Sequence, residues 1–95
     1  MGMQIAIKHS DTYKAPMITG AQIRAARALL GWTTQRLADA SGVHYATLSR
    51  AEQGDGIPNM RAQTLASVQM TLEKAGCQFL DGPYSGDGGP GVRLR

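Results

Sequence analysis

Five arginines, whose guanidinium groups can donate hydrogen bonds to phosphates or to base edges, are spread through the middle of this 95-residue chain. They are Arg24, Arg27, Arg36, Arg50 and Arg61. The formal net charge is +3, which permits binding to nucleic acid without requiring it. The placement of the arginines is therefore more informative than their number.

The other reactive side chains do not form a catalytic or metal-binding set. Glu52 has no second acid, nucleophile or metal ligand beside it, and His9 and His44 are isolated. Cys77 is the single cysteine, so it can form no internal disulfide and is expected to be a packed thiol. The glycines of residues 82–91 lack the strand-to-helix context of a phosphate-binding loop. The sequence thus predicts no catalytic residue, no metal ion and no cofactor.

Residues 33–54, TTQRLADASGVHYATLSRAEQG, contain two short helix patterns separated by a tight turn. The first helix offers the small residue Ala38 where the second must pack, and Leu48 gives the second helix an apolar side. This is the pattern of a helix-turn-helix. Its second helix projects its outer face from the surface, where that face can enter a DNA major groove.

Capping residues predict where the helices begin. Thr19 followed by Gln22 forms a capping box, and Thr33 is a second N-cap. His44 takes the same place before the third helix, although Ser or Thr would cap it better. These caps predict helices that begin near residues 20, 34 and 45, and a fourth that follows residue 59 and runs to residue 76.

Glycines predict the helix ends, and apolar stripes predict the core. Gly31, Gly42 and Gly54 follow the first three helices, and each can adopt the left-handed conformation that reverses the chain. The apolar residues at helical spacing are Ile23, Ala26, Leu29 and Leu30, then Leu37 and Ala38, then Leu48 and Ala51, and finally Leu65, Val68, Leu72 and Ala75. We therefore predict an all-α fold, a compact four- to five-helix bundle of about 55–60 residues.

The segments on either side of this bundle have strand-like patterns. In the N-terminal arm, residues 1–17, the stretch MQIAIK alternates apolar with mostly polar residues and favours a strand or a disordered arm equally. In the C-terminal tail, residues 77–95, the stretches CQFL and GVRLR flank the Gly/Pro-rich DGPYSGDGGPG. The helix-turn-helix domain is thus predicted over residues 18–76. Because a lone two-stranded ribbon is marginal in water, we expect any pairing of these strands to be across a dimer.

From about residue 18 to residue 76, the chain resembles the Cro/repressor-like helix-turn-helix family, also called the xenobiotic-response-element family of bacterial and phage regulators. ITGAQIRAARALLGW resembles the first helix of the family, LADASGV its second helix and turn, and ATLSRAEQG its recognition helix. Seven residues are in register: Leu37, Ala38, Gly42, Val43, Leu48, Glu52 and Gly54. The resemblance implies an all-helical fold that binds double-stranded operator DNA as a dimer and controls transcription without a catalytic step.

Position by position, the resemblance implies that four residues form the outward, base-contacting face of the recognition helix: Tyr45, Ala46, Ser49 and Arg50. The guanidinium of Arg50 can donate two hydrogen bonds to N7 and O6 of a guanine. Tyr45 is expected to reach a phosphate, to pack on a thymine methyl group or to support the start of the helix. An acid at the position of Glu52 pairs with an arginine of the first helix in this family, which implies Arg24 or Arg27 as its partner.

Five further residues are expected at the DNA backbone: Thr34, Gln35, Arg36, His44 and Thr47. Thr34 occupies a position where the family usually has Gln, so the contact falls either to its hydroxyl or to Gln35. Arg36 replaces a frequent acid and is expected either to touch the backbone or to be solvated. His44 replaces the usual cap, and the free amides of the helix start still favour a phosphate there.

The function expected from this resemblance is that of a cytoplasmic bacterial transcriptional regulator, a repressor, that binds its operator as a homodimer. No apolar run is long enough for a membrane span and no signal-peptide pattern is present, so no membrane association is expected. A second interpretation stays open: an antitoxin-like or adaptor protein that binds a protein partner through its tails. A toxin-like reading frame beside the gene would favour that second interpretation.

Overall fold

The computed structural model describes residues 18–80 and 89–95 of the chain. Its elements are α1 (Gly20–Leu30), α2 (Thr34–Ser41), α3 (Tyr45–Gln53), α4 (Ala62–Lys74), β1 (Cys77–Leu80) and β2 (Gly91–Leu94). The predicted helical bundle with short strands in the C-terminal tail is confirmed. The strand expected in the N-terminal arm and residues 81–88 of the Gly/Pro-rich stretch lie outside the described residues.

The helices begin where the capping residues predict. Thr19 accepts a hydrogen bond from the amide of Gln22, and the Gln22 side chain accepts one from the Thr19 amide, so the capping box is confirmed. The hydroxyl of Thr33 accepts from the Arg36 amide at 3.0 Å and caps α2. His44 precedes α3 without any side-chain cap bond. The first amides of α3 are therefore left without a side-chain partner from His44.

All three glycines follow helix ends as predicted, but the left-handed conformation expected of them is confirmed at only two. Gly31 and Gly42 have φ angles of 71° and 77°, in the left-handed region that ends a helix and reverses the chain. Gly54 has an extended backbone with φ of −101°. There the guanidinium of Arg24 donates to the carbonyl oxygens of Glu52 and Gly54, so a side chain of α1 caps this end of α3 in place of a left-handed residue.

The core is built from buried apolar residues of all four helices, with one to three from each helix. The largest fully buried side chains of the helices are Ile23 of α1, Leu37 of α2, Leu48 of α3, and Val68 and Leu72 of α4. Leu29 was predicted to join them but is 44% exposed. At 3.6 residues per turn it lies about 120° from Ile23 around the helix axis, and therefore beyond the buried stripe.

The two strands pair with each other within one chain and form an antiparallel hairpin, with Cys77 opposite Leu94 and Phe79 opposite Val92. The prediction that they would pair across a dimer is therefore wrong. A ribbon that would be marginal alone is stabilised here because one of its faces packs on the bundle. On that face Cys77 is fully buried, and Phe79 and Val92 pack against the core.

Candidate nucleic-acid interface

The inner face of α3 is held firmly against the bundle. Leu48 is fully buried, and Ala51 and Glu52 are nearly so. In the helix and turn that precede α3, the predicted motif residues are placed as follows: Leu37 is fully buried, Ala38 and Val43 are nearly buried, and Gly42 forms the left-handed turn. The orientation of α3 is therefore determined by the packing of Leu48, Ala51 and Glu52 against the bundle.

The outer face of α3 is exposed and carries most of the residues expected to contact bases. Tyr45, Ala46 and Arg50 are exposed, and Ser49 is half-buried at the edge of the face. At 3.6 residues per turn, Ala46 and Arg50 each lie about 160° from the buried Leu48 around the helix axis. The outer face of α3 therefore presents small and polar side chains that allow the helix to approach a DNA groove closely.

Gln53 also lies on this outer face, and the sequence analysis did not single it out. It is exposed, and it follows Ala46 by seven residues and Arg50 by three, which puts it on the same side of the helix. A glutamine there can donate to and accept from an adenine edge. The helical spacing of Gln53 from Ala46 is the sequence signal that could have identified it. A concavity of about 250 Å³ lies between α3 and the segment that follows it, and both Arg50 and Gln53 line it.

The residues expected at the DNA backbone fall into two groups. On α2, Gln35 donates to Asp39 at 2.9 Å, and the guanidinium of Arg36 lies 4.7 Å from the centre of the Trp32 ring. Thr34, at the first position of this helix, is half-buried. The cation–π contact does not neutralise Arg36, which is exposed and keeps its positive charge.

The second group lies where the start of α3 meets the start of α4. His44 and Thr47 line a concavity of about 400 Å³ together with Arg61, Gln63 and Thr64 of α4 and its N-cap. His44 is exposed and Thr47 is half-buried. The structure thus brings His44 and Thr47 together beside a further arginine, and leaves Thr34, Gln35 and Arg36 on a separate helix.

Two arginines of α1 hold the C-terminal end of α3. Arg27 forms a bidentate ion pair with the carboxylate of Glu52, in which the Arg27 Nη2 to Glu52 Oε1 distance is 2.7 Å and the Nε to Oε2 distance is 2.9 Å. Of the two expected partners, Arg27 therefore binds the carboxylate. Arg24 donates to the backbone carbonyl oxygens of Glu52 and Gly54 and to the side chain of Asp55.

α1 lies close to the end of α3 at Gly20. A Cβ atom at this position would overlap the carbonyl oxygens of Ala51 and Gly54. The Gly20 amide donates to the carbonyl of Gly56 at 2.8 Å. This contact and the two arginines fix the first turns of α1 to the end of α3.

The thiol of Cys77 is buried beneath the hairpin. Burial raises the pKa of Cys77, and the positive charge of Arg95 opposes that rise. In the part of the chain that the structure describes, no group of three or more His, Cys, Asp or Glu side chains is placed to hold a metal ion. No helix within residues 18–80 or 89–95 is long and apolar enough to span a membrane.

A comparison with protein families identifies the segment that carries these features. The family model described as Helix-turn-helix matches residues 23–62. The match begins in α1, includes α2 and α3 completely, and ends at the first residue of α4. Among curated proteins, none matches this chain.

Proposed function

We propose that this protein is a sequence-specific transcriptional repressor of the xenobiotic-response-element type, and the match of residues 23–62 to the Helix-turn-helix family model supports this proposal. It inserts α3 into a DNA major groove. The observation that carries the proposal is the two-sided character of α3: one side is buried and held by Arg27, and the other is exposed and bears Arg50.

Base recognition in this proposal comes from the outer face of α3. Arg50 donates two hydrogen bonds to a guanine, because its guanidinium geometry fits the N7 and O6 acceptors. Tyr45 packs on a thymine methyl group at the start of the helix. Ala46 and Ser49 are short enough to let the helix approach the bases, and Gln53 extends the contact by one turn.

Backbone contacts fix the orientation of the helix but read no sequence. The proposed contacts are Thr34, Gln35 and Arg36 on α2, and His44 and Thr47 at the start of α3. The start of α3 supports this assignment, because no side chain of His44 caps it and its amides can bind a phosphate. Each phosphate that a cation neutralises adds about 0.9 to the slope of log affinity against log salt concentration.

We propose that the protein binds as a homodimer. One short helix reads only a few base pairs, which gives too little discrimination against the competing sites of a genome. Two copies would present their α3 helices about 34 Å apart to successive major grooves of a nearly palindromic site.

The decisive experiment is selection of bound sites from random DNA, followed by affinity measurements on the selected site and on random DNA. Arg50→Ala is expected to reduce affinity for the selected site by about 1–3 kcal/mol and to relax preference at one base pair. Binding to random DNA should change far less. Affinity of the unmodified protein should also fall steeply as salt rises.

Lys74→Ala is the matched control, because it also removes one positive charge. Lys74 is exposed at the last position of α4, about 18 Å along the helix axis from its start beside α3. Its substitution should leave the selected site and its preference unchanged. An equal loss on selected and random DNA for Arg50→Ala would assign that side chain to the backbone. A protein that selects no site would instead favour the adaptor function.

A further inference from the structure

We propose that Gln22 is a positioning residue for α3, and that it acts by fastening the C-terminal hairpin to α1. The side chain of Gln22 is 95% buried, since its exposed fraction is 5%. Its Oε1 accepts from the Thr19 amide at 2.9 Å, as the capping box requires. Its Nε2 donates to the carbonyl oxygen of Gly91 at 2.8 Å and to that of Leu80 at 3.2 Å. One buried amide therefore serves a helix cap and two strands at once.

The two carbonyls that Gln22 binds lie opposite each other in the hairpin. Leu80 and Gly91 are the last pair before residues 81–88, so Gln22 joins both strands at that end of the ribbon. At the other end, the Arg95 amide donates to the Gly76 carbonyl at 2.8 Å, and its guanidinium donates to the Glu73 carbonyl at 2.7 Å. The hairpin is thus attached at both ends, once to α1 and once to the end of α4.

The same two turns of α1 bind the end of α3 on their other side. Gly20 lies against the carbonyls of Ala51 and Gly54, and Arg24 and Arg27 bind the backbone and the carboxylate of Glu52. The start of α1 is therefore held between the hairpin and α3. Because packed cores shift between discrete arrangements and do not deform continuously, release of the hairpin changes the tilt of α1 and, with it, the direction of α3.

Gln22→Glu separates the two tasks of this side chain. A carboxylate still accepts from the Thr19 amide, so the capping box is kept. In its ionised form the carboxylate has no hydrogen to donate, and it places negative oxygens against two carbonyl oxygens. Thr19→Ala is the matched control, because it removes the hydroxyl that caps the Gln22 amide and leaves both bonds from Nε2 to the hairpin in place.

The test uses the full chain at a temperature at which circular dichroism shows both variants to be folded. In Gln22→Glu, the backbone amides of β1 and β2 should exchange hydrogen faster, while those of α2 keep their protection. The ratio of affinities for selected and random DNA should fall at least about fivefold, the lower end of the coupling between linked sites. Thr19→Ala should melt earlier than the parent protein and keep that ratio.

Three results would overturn the role of Gln22: unchanged hairpin exchange, an unchanged affinity ratio despite faster exchange, or an equal fall of the ratio in Thr19→Ala. If Gln22→Glu does not fold, Gln22→Met removes the Nε2 donors and the Oε1 acceptor with a neutral side chain of similar length, and comparison with Thr19→Ala, which also weakens the cap, gives the part due to the hairpin. The role presupposes the DNA binding proposed above. A failure of the proposed DNA binding can be distinguished from a failure of the proposed role of Gln22. An unmodified protein without DNA preference refutes sequence-specific DNA binding, while the hydrogen-exchange measurement tests the attachment of the hairpin without DNA.

Discussion

Glu52→Gln tests how strongly α3 is anchored to α1. The substitution keeps the shape of the side chain and removes its charge. In the parent protein the Glu52 side chain is 7% exposed and that of Arg27 is 21% exposed. The variant therefore leaves the Arg27 guanidinium, largely shielded from water, without a counter-charge.

The expected loss of stability is large for so small a domain. Removal of one partner from a buried ion pair costs about 3–5 kcal/mol, and the partial exposure of Arg27 places this pair near the lower end, at about 3 kcal/mol. In a domain of this size, that change lowers the melting temperature by about 12–24 °C. Arg24 and Asp55 provide the control, because their side chains are 38% and 86% exposed. Asp55→Asn should cost less than about 1 kcal/mol.

A double variant separates the cost of leaving Arg27 without its counter-charge from the cost of losing its other contacts. Arg27→Met combined with Glu52→Leu leaves no unpaired charge, so it should be more stable than Glu52→Gln alone. The remaining loss, about 1 kcal/mol, corresponds to the hydrogen bond that Arg27 donates to the Trp32 carbonyl at 2.9 Å. Urea and thermal denaturation followed by circular dichroism measure all the variants. If Glu52→Gln is no less stable than Asp55→Asn, the ion pair does not anchor α3.

Two further predictions concern the core. Leu48 is fully buried, so Leu48→Ala should destabilise the domain by about 2–5 kcal/mol in urea denaturation, and a mutant that melts with the parent would contradict the placement of α3. The folded-state pKa of Cys77 is raised above its ordinary value of 9.0, because burial disfavours the thiolate. The stability that the neutral thiol contributes is therefore fully present below about pH 9 and is lost as the pH rises through the raised pKa. Cys77→Ala should abolish this loss of stability at high pH. The same loss in the variant would disprove the role of the thiol.

The helix boundaries could be predicted from the sequence because they depend on local interactions. Thr19 and Thr33 cap amides three residues away, and Gly31 and Gly42 supply a conformation that few other residues adopt. The same local reasoning predicted the end of α3 at Gly54 but not its extended conformation, because the carbonyls of Glu52 and Gly54 are bound there by Arg24, 30 residues away from Gly54 in sequence. A distant side chain thus replaced a local cap.

The hairpin was misjudged for the same physical reason. Its stability comes from contacts that no local pattern contains, such as the bonds from Gln22 to residues 58 and 69 positions later. Deletion of residues 81–95 would therefore not test the proposed dimer by itself. Removal of β2 takes Val92 from the core and breaks the bond from Gln22 to Gly91, so weaker DNA binding would follow even from a monomer. The oligomeric state must therefore be measured by sedimentation of the full chain, bound and unbound to DNA, and a monomer on the selected site would contradict the proposed dimer.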